Sequence, residues 1–115
     1  MSRVRNDELV EAFIDGEDAQ ANSAHADADG TLYSYRTAVA IRRPDGTFAV
    51  TQAKYSQTTS CLVGKLTRAL YRAGYREVPP LTTIHAAVPG RWGGFGPAWH
   101  ATGWEDVPAV IWAAL

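Results

Sequence analysis

The chain has 115 residues, of which 46% are hydrophobic, and a formal net charge of −1 at pH 7. This size and composition predict one domain, residues 1–115, that buries a core of its own. A single cysteine excludes an intrachain disulfide, and no apolar run approaches the roughly 18 residues of a transmembrane helix. Because the first residues also lack the apolar stretch of a signal peptide, we expect a cytoplasmic protein that does not bind membranes.

The charges of the chain are sorted along the sequence. Residues 1–30 carry eight acidic side chains against two arginines, whereas residues 31–76 carry eight basic side chains against one aspartate. Residues 77–115 are mildly acidic, so the overall charge conceals a basic middle between acidic ends. This sorting indicates a charged partner or an intramolecular clamp between the two regions.

The first 30 residues predict a short helix and then a loop. Asn6 or Asp7 can cap the helix, and Gly16 can end it. Its buried face is predicted from helical spacing: Leu9, Val10, Phe13 and Ile14. Residues 17–30 lack large apolar side chains, so they predict a loop or a mobile linker.

The next segment, residues 32–54, predicts a β-hairpin. Polar and apolar residues alternate over 32–42, as in a half-buried strand. The apolar positions on one face are Tyr33, Tyr35, Val39 and Ile41. Pro44 and Gly46 suit a tight turn, and residues 47–54 form the returning strand.

A central helix is predicted over about residues 59–73. Thr58, Thr59 and Ser60 are all favourable capping residues, and Gly74 suits a left-handed end. The apolar stripe of this helix consists of Leu62, Leu66, Ala69, Leu70 and Ala73.

The C-terminal third predicts a strand at 81–88, a loop at 89–98 and a short strand at 99–104. Asp106 and Pro108 can then start a terminal helix. The predicted fold class is therefore α+β: a small antiparallel sheet, formed by hairpin 32–54 and one or two C-terminal strands, packs on the central helix, and short helices lie at both ends.

Three basic residues share one flank of the central helix. Lys65, Arg68 and Arg72 recur at spacings of three and four, beside the apolar stripe and not within it. Arg36, Arg42 and Lys54 on the hairpin can extend this surface, which would attract acidic groups or phosphates. The plainer interpretation is a solvated helix face, or one paired with the acidic N-terminal segment.

Aromatic residues concentrate in the last quarter of the chain. Trp92, Phe95 and Trp99 lie in or beside a glycine-rich segment, and Trp104 and Trp112 follow. Such residues can pack in the core, form a protein interface or stack on bases, and the sequence leaves these alternatives open.

The sequence predicts no enzyme. The hydroxyl residues Ser56, Thr58, Thr59 and Ser60 fit simple helix capping and lack the glycine spacing and lysine of a P-loop. Cys61 is expected to be a buried small apolar residue. The three histidines have no metal-ligand spacing, so neither a metal nor another cofactor is predicted.

Three short motifs carry a resemblance to a known group of proteins. They are an Asn-Ser step at 22–23, a Tyr-Ser-Tyr strand at 33–35 and a Tyr-Ser-x-Thr-Thr-Ser helix entry at 55–60. Together, within residues 16–66, they resemble small uncharacterised proteins of actinobacterial phages and other mobile elements. Many of those proteins carry a histidine where this chain has Cys61. The group has no established activity, so the resemblance implies a source and a context, an accessory protein that acts on host machinery.

The sequence therefore favours a non-enzymatic protein that binds a host macromolecule, most readily a protein. The residues predicted to contact it are Arg36, Lys65, Arg68, Arg72, Trp92, Phe95 and Trp99. The alternative is a nucleic-acid-binding protein that uses the basic region 31–76, with the acidic N-terminus as a competitor. A homodimer formed through the aromatic tail is a further expectation.

Overall fold

A computed structural model of the protein describes residues 3–35, 37–53, 56–87 and 104–114. Within these residues the chain forms two helices, α1 (Asn6–Asp15) and α2 (Gln57–Arg72). The described residues also form seven strands: β1 (Ala19–Gln20), β2 (Ala24–Ala26), β3 (Thr31–Ser34), β4 (Thr37–Arg42), β5 (Phe48–Thr51), β6 (Tyr75–Ala87) and β7 (Trp104–Ala114). The α+β class is confirmed, and the sheet is larger than the sequence predicts.

The strands form one antiparallel sheet in the order β1-β2-β3-β4-β5-β7-β6. The first five strands follow each other as a meander. After α2, the final hairpin joins the sheet through β7, which pairs with β5 and leaves β6 as the outer strand. The last described strand in the sequence is therefore an interior strand of the sheet, because β7 lies between β5 and β6.

Both helices pack on one face of the sheet and bury their apolar stripes there. The core combines Leu9 and Phe13 of α1 with Leu62, Leu66 and Leu70 of α2, all at most 1% exposed. The strands supply the rest of this core, chiefly from Leu32, Val39, Phe48, Val50 and Trp112. The predicted apolar faces are confirmed for Leu9, Val10 and Phe13 of α1 and for Leu62, Leu66, Ala69 and Leu70 of α2. Ile14 is only partly buried, and Ala73, which follows the last residue of α2, is exposed, so its predicted place on the apolar stripe is wrong.

The predicted C-terminal helix is wrong, because residues 104–114 form strand β7. The short apolar run Val107–Trp112 fits a buried strand as well as a helix, and periodicity alone does not separate the two. In the structure Ala109 and Ile111 join a small apolar cluster with Ala49 and Ile84, whereas Trp112 lies in the helix-facing core. An uninterrupted apolar pattern of this kind is typical of a strand buried on both faces.

The loop predicted at residues 17–30 contains two short strands, β1 and β2. Their pairing continues the sheet, since Ala24 lies opposite Ser34 and Ala26 opposite Leu32. Ala21, Ala24 and Ala26 are buried although they are small. The sequence did not predict these strands because strands are usually indicated by aromatic or β-branched residues, which this segment lacks.

The single strand predicted at 32–42 is also wrong, because the chain reverses direction after Ser34. Ser34 pairs with Thr37, so β3 and β4 form a tight hairpin. Tyr35 occupies this turn with φ of 57°, a conformation that a hairpin turn requires and that few side chains favour. The alternation of polar and apolar residues continues across the turn, so the sequence pattern does not indicate it.

The other turn and helix ends largely match the sequence. The β4–β5 hairpin is confirmed, with Gly46 at φ of 89° and Asp45 Oδ1 accepting a hydrogen bond from Thr47 N at 3.0 Å. Gly16 and Gly74 end the two helices at positive φ, as predicted. The N-caps differ by a residue or more: Arg5 precedes α1, and Ser56 caps α2.

Strand β6 begins directly after Gly74 and continues through Pro79 and Pro80. The register to β7 shifts between Val78 and Thr82, so the two prolines lie in an irregular part of an outer strand, where a missing N–H is tolerated. Residues 81–87 of the predicted strand 81–88 form the second half of β6, and Val88 lies outside the described residues. The predicted loop 89–98 and most of the predicted strand 99–104 lie outside the described residues.

Candidate protein interface on helix α2

The three basic residues predicted on the central helix share one outward flank of α2. Arg68 and Arg72 are exposed, and the Lys65 side chain is 36% exposed. Leu62, Leu66 and Leu70 occupy the buried side of the helix, which adjoins this flank. We call Lys65, Arg68 and Arg72 the basic face.

One member of the basic face is already paired within the chain. Lys65 Nζ donates a hydrogen bond to Asp7 Oδ1 of α1 at 2.7 Å. This hydrogen bond and the charge of Lys65 hold the pKa of Asp7 below its ordinary value of 3.8. The contact therefore stabilises the folded protein at pH values above the ordinary pKa of an aspartate. This contribution is lost as the pH falls through the lower pKa that Asp7 has in the folded state. The clamp between acidic and basic regions is thus present at one position.

The other two members make no ion pair with any described residue. Arg68 extends back along α2, where its guanidinium lies over Gly64. Arg72 lies in the last turn of α2, where the helix dipole favours a cation. Both guanidinium groups are therefore available to an anionic partner.

An exposed aromatic residue, which the sequence reasoning missed, adjoins the basic face. Tyr71 is 48% exposed, and its ring contacts buried Trp112 edge-to-face with centroids 4.9 Å apart. The Arg76 guanidinium lies 5.2 Å from the centre of the Tyr71 ring and donates to the Tyr75 carbonyl at 2.7 Å. The ring is thus held in place before any partner binds. In the sequence, the signal for this position is that Tyr71 lies three residues after Arg68, a spacing that makes two residues neighbours on a helix surface.

The structure does not test the remaining predicted contact residues. Arg36, Trp92, Phe95 and Trp99 lie outside the described residues. Trp112 is 2% exposed, so for this tryptophan core packing is the correct alternative.

Arg42, which the sequence offered as an extension of the basic surface, serves the fold. Its guanidinium lies against Gly16 at the C-terminal end of α1, where a cation is favourable. Its backbone passes close to Gly30. A side chain at Gly16 would displace the Arg42 guanidinium, and one at Gly30 would make a tight contact with the Arg42 backbone, in addition to the strain of positive φ at both.

The hydroxyl residues at the start of α2 connect the helix to the sheet. Thr59 Oγ1 lies 2.8 Å from Ser34 Oγ and 3.1 Å from Ser56 Oγ, and Thr59 N donates to Ser56 Oγ. Tyr35 N donates to the Ser23 carbonyl at 2.6 Å. The three motifs at 22–23, 33–35 and 55–60 therefore meet at one end of the sheet. Their contacts explain them as capping and turn residues.

The contact between the Ser34 and Thr59 hydroxyl groups predicts a coupling energy that can be measured. Thr59→Val removes the partner of the buried Ser34 hydroxyl and is expected to cost about 1–3 kcal/mol of unfolding free energy. Ser34→Ala is expected to cost about 1 kcal/mol, and the double variant less than the sum of the two. Urea denaturation of all four proteins measures this. The control Thr58→Val, at an exposed neighbour, should change stability by less than about 0.5 kcal/mol, and strict additivity would contradict the coupling.

The residues considered for catalysis are dispersed. Cys61 is exposed, contrary to expectation, because it lies four residues before Lys65 on the same outward flank. His25 stacks on Tyr33 with ring centroids 4.7 Å apart, and its Nε2 lies 3.7 Å from Asp27 Oδ1. Cys61 and His25 belong to different elements and form no contact with each other.

Comparison with known proteins identifies a family. The model of a family of unknown function (DUF8033) matches residues 9–73, which is 65 of the 115 residues, and the chain belongs to this family. The matched region runs from α1 to the end of α2 and includes the basic face. No curated protein and no solved structure matches the chain. Neither described helix is long and apolar enough to cross a membrane.

Proposed function

We propose that the protein is a small, non-enzymatic accessory protein of a phage or related mobile element, which binds a host protein through the basic face of α2. The observation that carries this proposal is the exposure of Arg68 and Arg72 without an ion pair among the described residues. Exposed arginines beside a fixed aromatic ring are typical of protein-binding surfaces. The resemblance to phage and mobile-element proteins supports the source and the cytoplasmic setting.

The charges around α2 favour an acidic protein over a nucleic acid. Glu8, Glu11 and Asp15 are exposed on the neighbouring helix, where they would repel an extended phosphate backbone. Arg76 covers one face of the Tyr71 ring and so limits stacking by a base. A protein can instead place a few carboxylates against Arg68 and Arg72 without approaching α1.

The test compares two variants with equal charge changes. Arg68→Glu with Arg72→Glu reverses the basic face, whereas Arg3→Glu with Arg43→Glu makes the same change outside α2. Each purified protein is immobilised and incubated with an actinobacterial lysate, and candidate partners are then purified for calorimetry. We expect a partner that binds the wild type and the control, with at least about ten-fold weaker affinity for the α2 variant. Equal affinities for the two variants would remove the basic face from the interface.

Nucleic acid is the second candidate partner. It is favoured by the ion pair between Asp7 and Lys65, in which a carboxylate of the chain holds the position that a phosphate would take. It is measured by fluorescence anisotropy with labelled single- and double-stranded DNA and RNA at two salt concentrations. Salt-sensitive binding that strengthens in Asp7→Asn would favour this candidate and make α1 a competitor. Absence of binding in both proteins would exclude it.

A further inference from the structure

Two rows of opposite charge run along the exposed sides of the two helices. On α1 the acidic row consists of Glu8, Glu11 and Asp15, and all three are exposed. The basic face of α2 has the same spacing of three and then four residues. Each row therefore extends over about 10 Å of helix, at about 1.5 Å per residue.

Both rows belong to one surface of the molecule. The helices pack against each other and cover the same face of the sheet. The contact between Asp7 and Lys65 marks where the acidic and basic regions meet. The helix layer is thus bipolar, with an acidic half on α1 and a basic half on α2.

We propose that this bipolar layer binds a second copy of the chain in a two-fold symmetric dimer. A two-fold axis between the helices places the acidic row of each copy against the basic face of the other, so the complementary contact occurs twice. Tyr71, half-exposed beside Arg72, supplies apolar area to the same interface. Unlike the dimer expected from the aromatic tail, this one uses residues of the helix layer.

The interface consists largely of exposed charges, so the dimer is reversible and sensitive to salt. The screening length falls from about 30 Å at 0.01 M salt to about 3 Å at 1 M salt. Dimerisation covers the surface that the proposed function assigns to a host protein, and the two associations exclude each other. The dimer does not depend on that proposal.

A charge exchange tests the arrangement with the full chain. In one variant Arg68→Glu and Arg72→Glu make both rows acidic; in the other Glu11→Lys and Asp15→Lys make both rows basic. Glu8 is left unchanged because its Oε1 accepts a hydrogen bond from Arg5 N at the start of α1. Circular dichroism establishes that each variant is folded, and the neutral pairs R68Q/R72Q and E11Q/D15N replace any that is not.

Sedimentation equilibrium at about 0.02 M and about 0.5 M salt measures the result. We expect a wild-type dimer that weakens at least ten-fold at the higher salt, two monomeric variants and a 1:1 dimer when they are mixed. The control R3E/R43E should remain dimeric. A monomeric wild type at low salt, a dimer of R68E/R72E alone, or no association of the mixed variants would each overturn the proposal. Host-protein binding is read separately, because E11K/D15K retains the basic face.

Discussion

Removal of residues 1–30 is expected to abolish cooperative folding. The deletion takes away α1 and strands β1 and β2, and with them the buried residues Leu9, Val10 and Phe13. Truncation of a single such side chain costs about 2–5 kcal/mol, whereas a whole domain is stable by only about 5–15 kcal/mol. Thermal denaturation followed by circular dichroism should therefore show no sigmoidal transition for the shortened chain.

The matched control keeps the core and removes only charge. Glu11→Gln with Asp15→Asn neutralises two exposed acids of α1, so a cooperative transition close to that of the wild type is expected. A cooperative transition in the shortened chain would show that α1 is dispensable. The acidic segment is built into the fold, so its role as a competitor must be tested by side-chain substitutions such as Asp7→Asn.

Trp112→Ala is expected to lower the free energy of unfolding by about 3–5 kcal/mol. The side chain is 2% exposed in the core that the helices cover, and its ring contacts Tyr71. On the sheet, Trp112 lies opposite Phe48 of β5 and Glu77 of β6. The loss therefore affects the interior strand β7 and the aromatic residue beside the basic face together. Urea denaturation measures the change.

Trp112→Phe is the informative companion. The Trp112 Nε1 is buried and has no hydrogen-bond acceptor among the described residues. Phenylalanine loses volume and also removes this unpaired N–H, whose burial is itself unfavourable. We expect less than half the destabilisation of the alanine variant. A loss below about 1 kcal/mol in Trp112→Ala would contradict the core position.

The sequence alone determined the features that depend on local periodicity and local backbone preference. The sequence predicts both helices because apolar residues recur at helical spacing, and Gly16 and Gly74 end them because positive φ favours glycine. The β4–β5 hairpin followed from Pro44 and Gly46. The shared flank of Lys65, Arg68 and Arg72 followed from helical geometry.

The tertiary structure alone decided the features that depend on residues far apart in the chain. Strands β1 and β2 form because Ala24 and Ala26 pair with β3, and β7 is a strand because β5 and β6 supply its hydrogen bonds on both sides. The Asp7–Lys65 contact joins residues 58 positions apart. No local pattern encodes such pairings, because hydrogen bonds and charge contacts between distant segments depend on the packing of the whole chain.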